Sequence, residues 1–104
     1  MNKSVEDLIN EALIEVNALM RNEFLQNTPI TPGSALDQSG LENGAEVVLD
    51  YLQHGEAGLA YEHLLYMVAE PPLKISTECC NLIAFAGQAL GYEASSWQVL
   101  RVAS

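Results

Sequence analysis

Gly55-Glu56-Ala57-Gly58-Leu59-Ala60-Tyr61-Glu62-His63-Leu64 opens the stretch whose periodicity decides the fold. Ala57, Ala60, Tyr61, Leu64, Leu65 and Val68 recur every three or four residues. That spacing places them on one face of a helix from about Glu56 to Ala69. Pro71-Pro72 then forbids its continuation, because the residue before a proline is pushed out of the helical region. Upstream, Gly55 suits the left-handed cap of a helix from about Glu42 to His54. The apolar face of that helix is Ala45, Val48, Leu49 and Leu52.

Downstream, Ser76 caps a helix over Thr77 to Leu90, with Glu78 in its first turn. Cys79, Leu82, Ile83, Ala86 and Leu90 are its buried stripe, and Gly91 is its left-handed stop. Ser95 or Ser96 can start a short last helix with Trp97 and Leu100, and Val102 at its margin. The first helix covers about residues 5 to 26. Ser4 caps it and Asp7 follows three positions on, close to a capping box. Val5, Leu8, Ile9, Ala12, Leu13, Val16, Leu19 and Met20 form its apolar stripe. Glu11 and Glu15 fall on its exposed side, one turn apart, where like charges cost about 0.2–0.5 kcal/mol.

Thr28-Pro29-Ile30-Thr31-Pro32-Gly33-Ser34 ends the first helix, since proline lacks an amide donor. From there to Gly40 the chain is a connection, with a short turn around Ala35 to Gln38. The β-branched residues are too scattered to alternate as strands. The expectation is an all-α fold: a small bundle of four main helices plus a short C-terminal helix. Residues 1–104 make a single domain, because neither side of the connection is large enough to fold alone.

Charge narrows the function classes. Fourteen acidic residues stand against four basic ones, for a formal net charge of −10. Direct nucleic-acid binding is disfavoured, because phosphates need clustered Lys and Arg. An anionic membrane surface is disfavoured for the same reason. The charge suits a basic protein partner, whose encounter complementary fields would speed; the plainer alternative is that acidity only keeps the chain soluble. The start, Met1-Asn2-Lys3-Ser4-Val5-Glu6-Asp7, shows no secretory signal or membrane span.

Catalytic chemistry finds no constellation. His54 and His63 are the only histidines and fall on different helices, without a nucleophile beside them. Gly33, Gly40 and Gly44 match no phosphate-binding loop. The two cysteines, Cys79 and Cys80, lack the spacing of a zinc or redox motif and read as small helix residues. No enzyme activity, cofactor or metal is expected.

The candidate binding residues are acidic and aromatic. Glu42, Glu46 and Asp50 stand at successive helical turns. A lone acidic stripe is ordinarily a solvated face. Here no Lys or Arg lies between Arg21 and Lys74 to offset it, and Glu56, Glu62 and Glu70 follow. Such carboxylates can accept hydrogen bonds from Lys and Arg of a basic cleft. Tyr51 and Tyr66 are exposed candidates for interface anchors, whereas Tyr61 and Trp97 suit the core.

The order of residues from Leu49 to Leu100 resembles the MafI-like family of toxin immunity proteins. Gly-Glu followed by Leu-Ala-x-Glu-x-Leu falls on Gly55, Glu56, Leu59, Ala60, Glu62 and Leu64. An acid at a helix end follows at Glu70, a helix start at Ile75-Ser76, then Gly91 and a final Trp97. The first forty residues carry no family pattern, and the Thr28 to Gly40 connection is longer than the family's. The resemblance implies a non-enzymatic antitoxin, resident in the bacterial cytoplasm, of the kind used in contact-dependent growth inhibition. Its partner would be the C-terminal domain of a secreted or contact-delivered toxin, often a nuclease, with EndoU-like ribonucleases among them. A small acidic adaptor or regulatory module that binds a basic cellular protein is the alternative from another class.

Overall fold

Ser4 starts the fold through a local bond: its Oγ accepts the Asp7 amide at 3.1 Å. The first helix, α1, then runs Val5–Gln26 in a computed structural model that describes residues 3–71 and 73–102. Met1, Asn2 and Pro72, all read from the sequence above, lie outside the described residues. Leu8, Ile9, Ala12, Leu13, Val16 and Met20 turn inward, as their spacing requires. Val5 and Leu19 flank them, half-buried.

The remaining elements are α2 (Gly44–Gln53), α3 (Ala57–Ala69), β1 (Lys74–Ile75), α4 (Thr77–Leu90), α5 (Ser95–Gln98) and β2 (Arg101–Val102). The fold is all-α, with four long helices and the short α5. α4 packs along α1, α2 packs on α3, and α3 also touches α1. All four helices contribute to one hydrophobic cluster, in which Tyr61, Ile9, Leu64, Met67 and Ile83 are fully buried.

Helix ends follow local chemistry. Ser76 Oγ accepts the Cys79 amide at 3.1 Å and opens α4. Gly91, at φ +85°, closes it in the left-handed region where only glycine is unstrained. Gly55 does the same after α2, at φ +73°.

Several details of the helices and strands differ from the sequence expectations. α2 begins at Gly44, two residues after Glu42, because residues 38 to 43 are held in successive turns. Leu49, assigned to the inner face of α2, is 42% exposed. Met67 was not assigned to the face of α3, yet it is fully buried and presses on Gly44, where no Cβ would fit. Finally, Lys74 and Ile75 pair in parallel with Arg101 and Val102, a two-residue ladder too short to alternate.

The connection from 28 to 43 is more than a linker. Leu36 and Leu41 drop into the core. From α3, His63 Nε2–H donates to the Gly40 carbonyl at 2.9 Å, and the Tyr66 hydroxyl donates to the Ser39 carbonyl at 2.8 Å. Since a carbonyl only accepts, the first bond fixes the His63 tautomer. Gly40, at φ +83°, lies so close to the His63 ring that a side chain would collide with it.

Candidate functional site

The pinned connection delivers the acidic candidates to the surface. Glu42 sits in the turn before α2, and Glu46 and Asp50 follow on the helix at four-residue intervals. All three are exposed. Glu42 and Glu46 make no side-chain hydrogen bond or ion pair among the described residues. Asp50 is met by His54, whose Nδ1 lies 3.5 Å from its carboxylate. Both of those side chains are about 70% exposed, so their pairing contributes little in water.

Two of these carboxylates, Glu42 and Glu46, border a groove that Asp50 does not line. Its volume is about 580 Å³, and it runs between the C-terminal part of α1 and the start of α2. Met20, Phe24, Leu25, Ile30 and Ala45 give it apolar surface, and Glu42 and Glu46 line it as well. Met20 is buried, Phe24, Ile30 and Ala45 are half-buried, and Leu25 is 80% exposed. Arg21 also lines this groove. Along the sequence Arg21 only marked the start of a long stretch without cations; in space it stands with the acids. It forms no ion pair with either carboxylate among the described residues.

The other candidates are dispersed. Glu56 and Glu70 are exposed at opposite ends of α3, about 20 Å apart at helical rise. Glu62 is exposed between them, and the Tyr92 hydroxyl donates a short hydrogen bond to it. That bond pushes the Tyr92 phenol up to about 12, aided by lesser desolvation and by the Glu62 charge. Glu62 is therefore engaged with the chain's own C-terminal region.

Tyr51 and Tyr66 are half-buried rather than exposed. Tyr51 packs against the core, and the Tyr66 hydroxyl is engaged with Ser39. Tyr66 is a support for the groove-forming connection, not a free anchor. Tyr61 is fully buried, with its hydroxyl 2.9 Å from Ser96 Oγ. Burial raises its pKa, and the Ser96 bond partly opposes that rise. Trp97 is half-buried against the core.

Glu15 departs furthest from its expected place. Its carboxylate turns toward α4 and accepts two bonds from Ser76, 2.6 Å from N–H and 2.6 Å from Oγ–H. A charge assigned to solvent thus caps a helix start 61 residues away, where a helix end favours an anion. Glu11 pairs with Lys3 at 2.6 Å.

Cys79 is buried, with its Sγ–H directed at the Ala12 carbonyl at 3.6 Å. Desolvation first, then the Glu15 charge, pushes its thiol up to about 12. Such a thiol is a poor nucleophile at neutral pH. Among the described residues there is no group of three or more His, Cys, Asp or Glu that could hold a metal ion. No described helix is long and apolar enough to cross a membrane.

What fold and surface define together is a small all-α domain with an acid-lined apolar groove. Compared with family models, curated proteins and solved structures, the chain matches none of them.

Proposed function

We propose that the protein is a non-enzymatic immunity protein. It binds and neutralises the basic toxin domain of a cognate secreted or contact-delivered toxin, a nuclease such as an EndoU-like ribonuclease, inside the bacterial cytoplasm. The observation that carries this is the set of exposed carboxylates Glu42, Glu46 and Asp50, of which Glu42 and Glu46 make no side-chain hydrogen bond or ion pair among the described residues. A cleft that binds RNA phosphates is basic, and such a row competes for it. The net charge of −10 adds long-range attraction for a basic domain. The resemblance of Leu49 to Leu100 to the MafI-like family supplies the toxin as partner.

The test is growth rescue. The C-terminal domain of the secreted protein encoded nearest this gene is induced as the candidate toxin, with and without the chain, and a complex is sought by co-purification. Rescue with a stable complex is the expected result. Failure of both, with the chain expressed and folded, overturns the immunity reading in favour of an adaptor for a basic cellular protein. A salt series sharpens the mechanism. Occlusion led by charge requires the association rate to fall as salt rises, and a flat rate removes the electrostatic component.

A further inference from the structure

We infer that the groove between α1 and α2 is the docking slot for one kind of element: a basic amphipathic segment of the partner protein, with a large apolar side chain flanked by Lys or Arg. This rests on the reading of the chain as a binder of basic protein and names what that partner must present.

Two independent features meet in the groove. The first is unpartnered apolar surface. Leu25 is 80% exposed at its margin, beside half-buried Phe24 and Ile30, over a volume of about 580 Å³. That volume suits one or two large side chains rather than a flat contact. The second is charge. Glu42 and Glu46 line the same groove, outnumber its single cation, Arg21, and make no side-chain hydrogen bond or ion pair among the described residues. Apolar surface alone would not choose between occupants, but the charge does. A second copy brings another net −10 to the contact and is repelled. A neutral apolar segment would leave both carboxylates without a partner at a desolvated margin. A basic segment satisfies both features at once, because its apolar residue fills the floor while its cations reach Glu42 and Glu46.

The slot also has a rigid back. Glu42 follows the connection that His63 and Tyr66 pin through Gly40 and Ser39. A surface held in place by its own hydrogen bonds loses less freedom on binding.

The experiment uses the full chain and a labelled amphipathic peptide of about 18 residues, with leucines on one face and lysines on the other. Binding is read by fluorescence anisotropy, and amide shifts are mapped by NMR. The expected result is saturable binding with the largest shifts at Phe24, Leu25, Ala45 and Glu46. Leu25→Ser should weaken it roughly fivefold to tenfold, and Glu42→Lys with Glu46→Lys by about tenfold or more. Both sets change exposed side chains, so the fold should persist, and circular dichroism checks that it does. A peptide with alanine in place of leucine should also bind about tenfold more weakly.

The outcomes separate the two ideas. If charge reversal abolishes binding but Leu25→Ser does nothing, the basic-partner reading stands and the slot falls. If Leu25→Ser weakens binding and charge reversal does not, the slot takes apolar segments without regard to charge and its basic occupant is refuted. If neither matters, or if the shifts fall on α4 around Phe85, both fall. A concentration-dependent dimer that Leu25→Ser dissolves would make the occupant a second copy and overturn the proposal.

Discussion

The two halves of α1 meet very different surroundings. Its N-terminal half lies under α4, where Ala12 approaches Cys79 and the Glu15 carboxylate grips Ser76. Ala12 and Cys79 are small enough for close approach, and Glu15 and Ser76 satisfy each other across the seam. Its C-terminal half faces the connection and the start of α2, where Phe24 is half-buried, Leu25 stands in solvent and two carboxylates find no partner among the described residues. One helix thus carries a finished interface and an unfinished one. Stability is concentrated where apolar and polar demands are both met inside the chain. Where neither is met, the surface is open to another molecule.

A matched pair of truncations should separate the halves most clearly. Ile83→Ala removes a fully buried side chain of α4. Its expected cost is about 2–5 kcal/mol, from lost transfer energy and the cavity left behind. Leu25→Ala removes a residue of similar size that is 80% exposed, and its expected change is within about 0.5 kcal/mol. Denaturant midpoints measure both. Similar losses from the two variants would show that Leu25 supports the fold and that the groove is not open surface.

Glu15→Ala tests whether the finished interface depends on its long-range cap. Two bonds to Ser76 are lost, one from a backbone amide at the start of α4. Charged hydrogen bonds of this kind contribute about 1.5–3 kcal/mol, and a partly solvated site brings the expected loss to roughly 1–2 kcal/mol. Ser4→Ala, at the cap of α1, should cost only about 1 kcal/mol. If Glu15→Ala proves silent in chemical denaturation, the α1–α4 seam rests on apolar packing alone.

Gly87→Ala sets two effects of opposite sign against each other. Alanine in a helix gains about 1 kcal/mol over glycine. Here, however, a Cβ would lie 2.5 Å from the Tyr61 hydroxyl and 2.6 Å from the Trp97 ring. Both are held, the first by Ser96 and the second by core packing. Overpacking of this kind costs about 1–3 kcal/mol, so a net loss of around 1 kcal/mol is expected in thermal unfolding. A gain in Tm would mean that α5 yields easily and belongs with the looser half of the molecule.

These cases also show what the sequence could and could not reveal. Ser4 to Asp7, Ser76 to Cys79, Gly55 and Gly91 are all signals whose cause lies within a few residues. The helices they delimit were readable within one or two positions. Period 3.6 likewise told which face of α1 turns inward. It did not tell what that face meets. Glu15 looked solvent-facing because its partner, Ser76, is 61 residues away. Tyr66 looked like a free anchor because nothing local announces Ser39. Leu36 and Leu41 sit among turn residues without a period, so neither stood out as core. The spacing of Glu46 and Asp50 was visible, because both lie on α2, whereas Glu42 falls in the turn before that helix and its place is not a matter of helical period. The groove was not visible, because its walls come from residues 17–30 and 42–46.

The last effect concerns Cys79 and is read through pH and labelling rate. Its folded pKa of about 12 lies above the reference of 9.0. Between those values the native chain holds a proton that the unfolded chain has released. The stabilising contribution is therefore fully present below about pH 9 and is lost as pH rises toward 12. Tyr92, pushed up to about 12 by Glu62, acts in the same direction. Stability should fall across this alkaline range, and Cys79→Ala should flatten the slope even though its cavity lowers the starting value. Thiol labelling at pH 8 gives the finer reading. Cys80 is half-buried and should react first, whereas Cys79 should wait for opening of the α1–α4 seam. Glu15→Ala removes a charge that raises the Cys79 pKa and also weakens the seam, so both effects should speed labelling. Labelling of Cys79 as fast as Cys80 in the native protein would mean that this seam opens readily, and that the two halves of α1 differ less than their contacts imply.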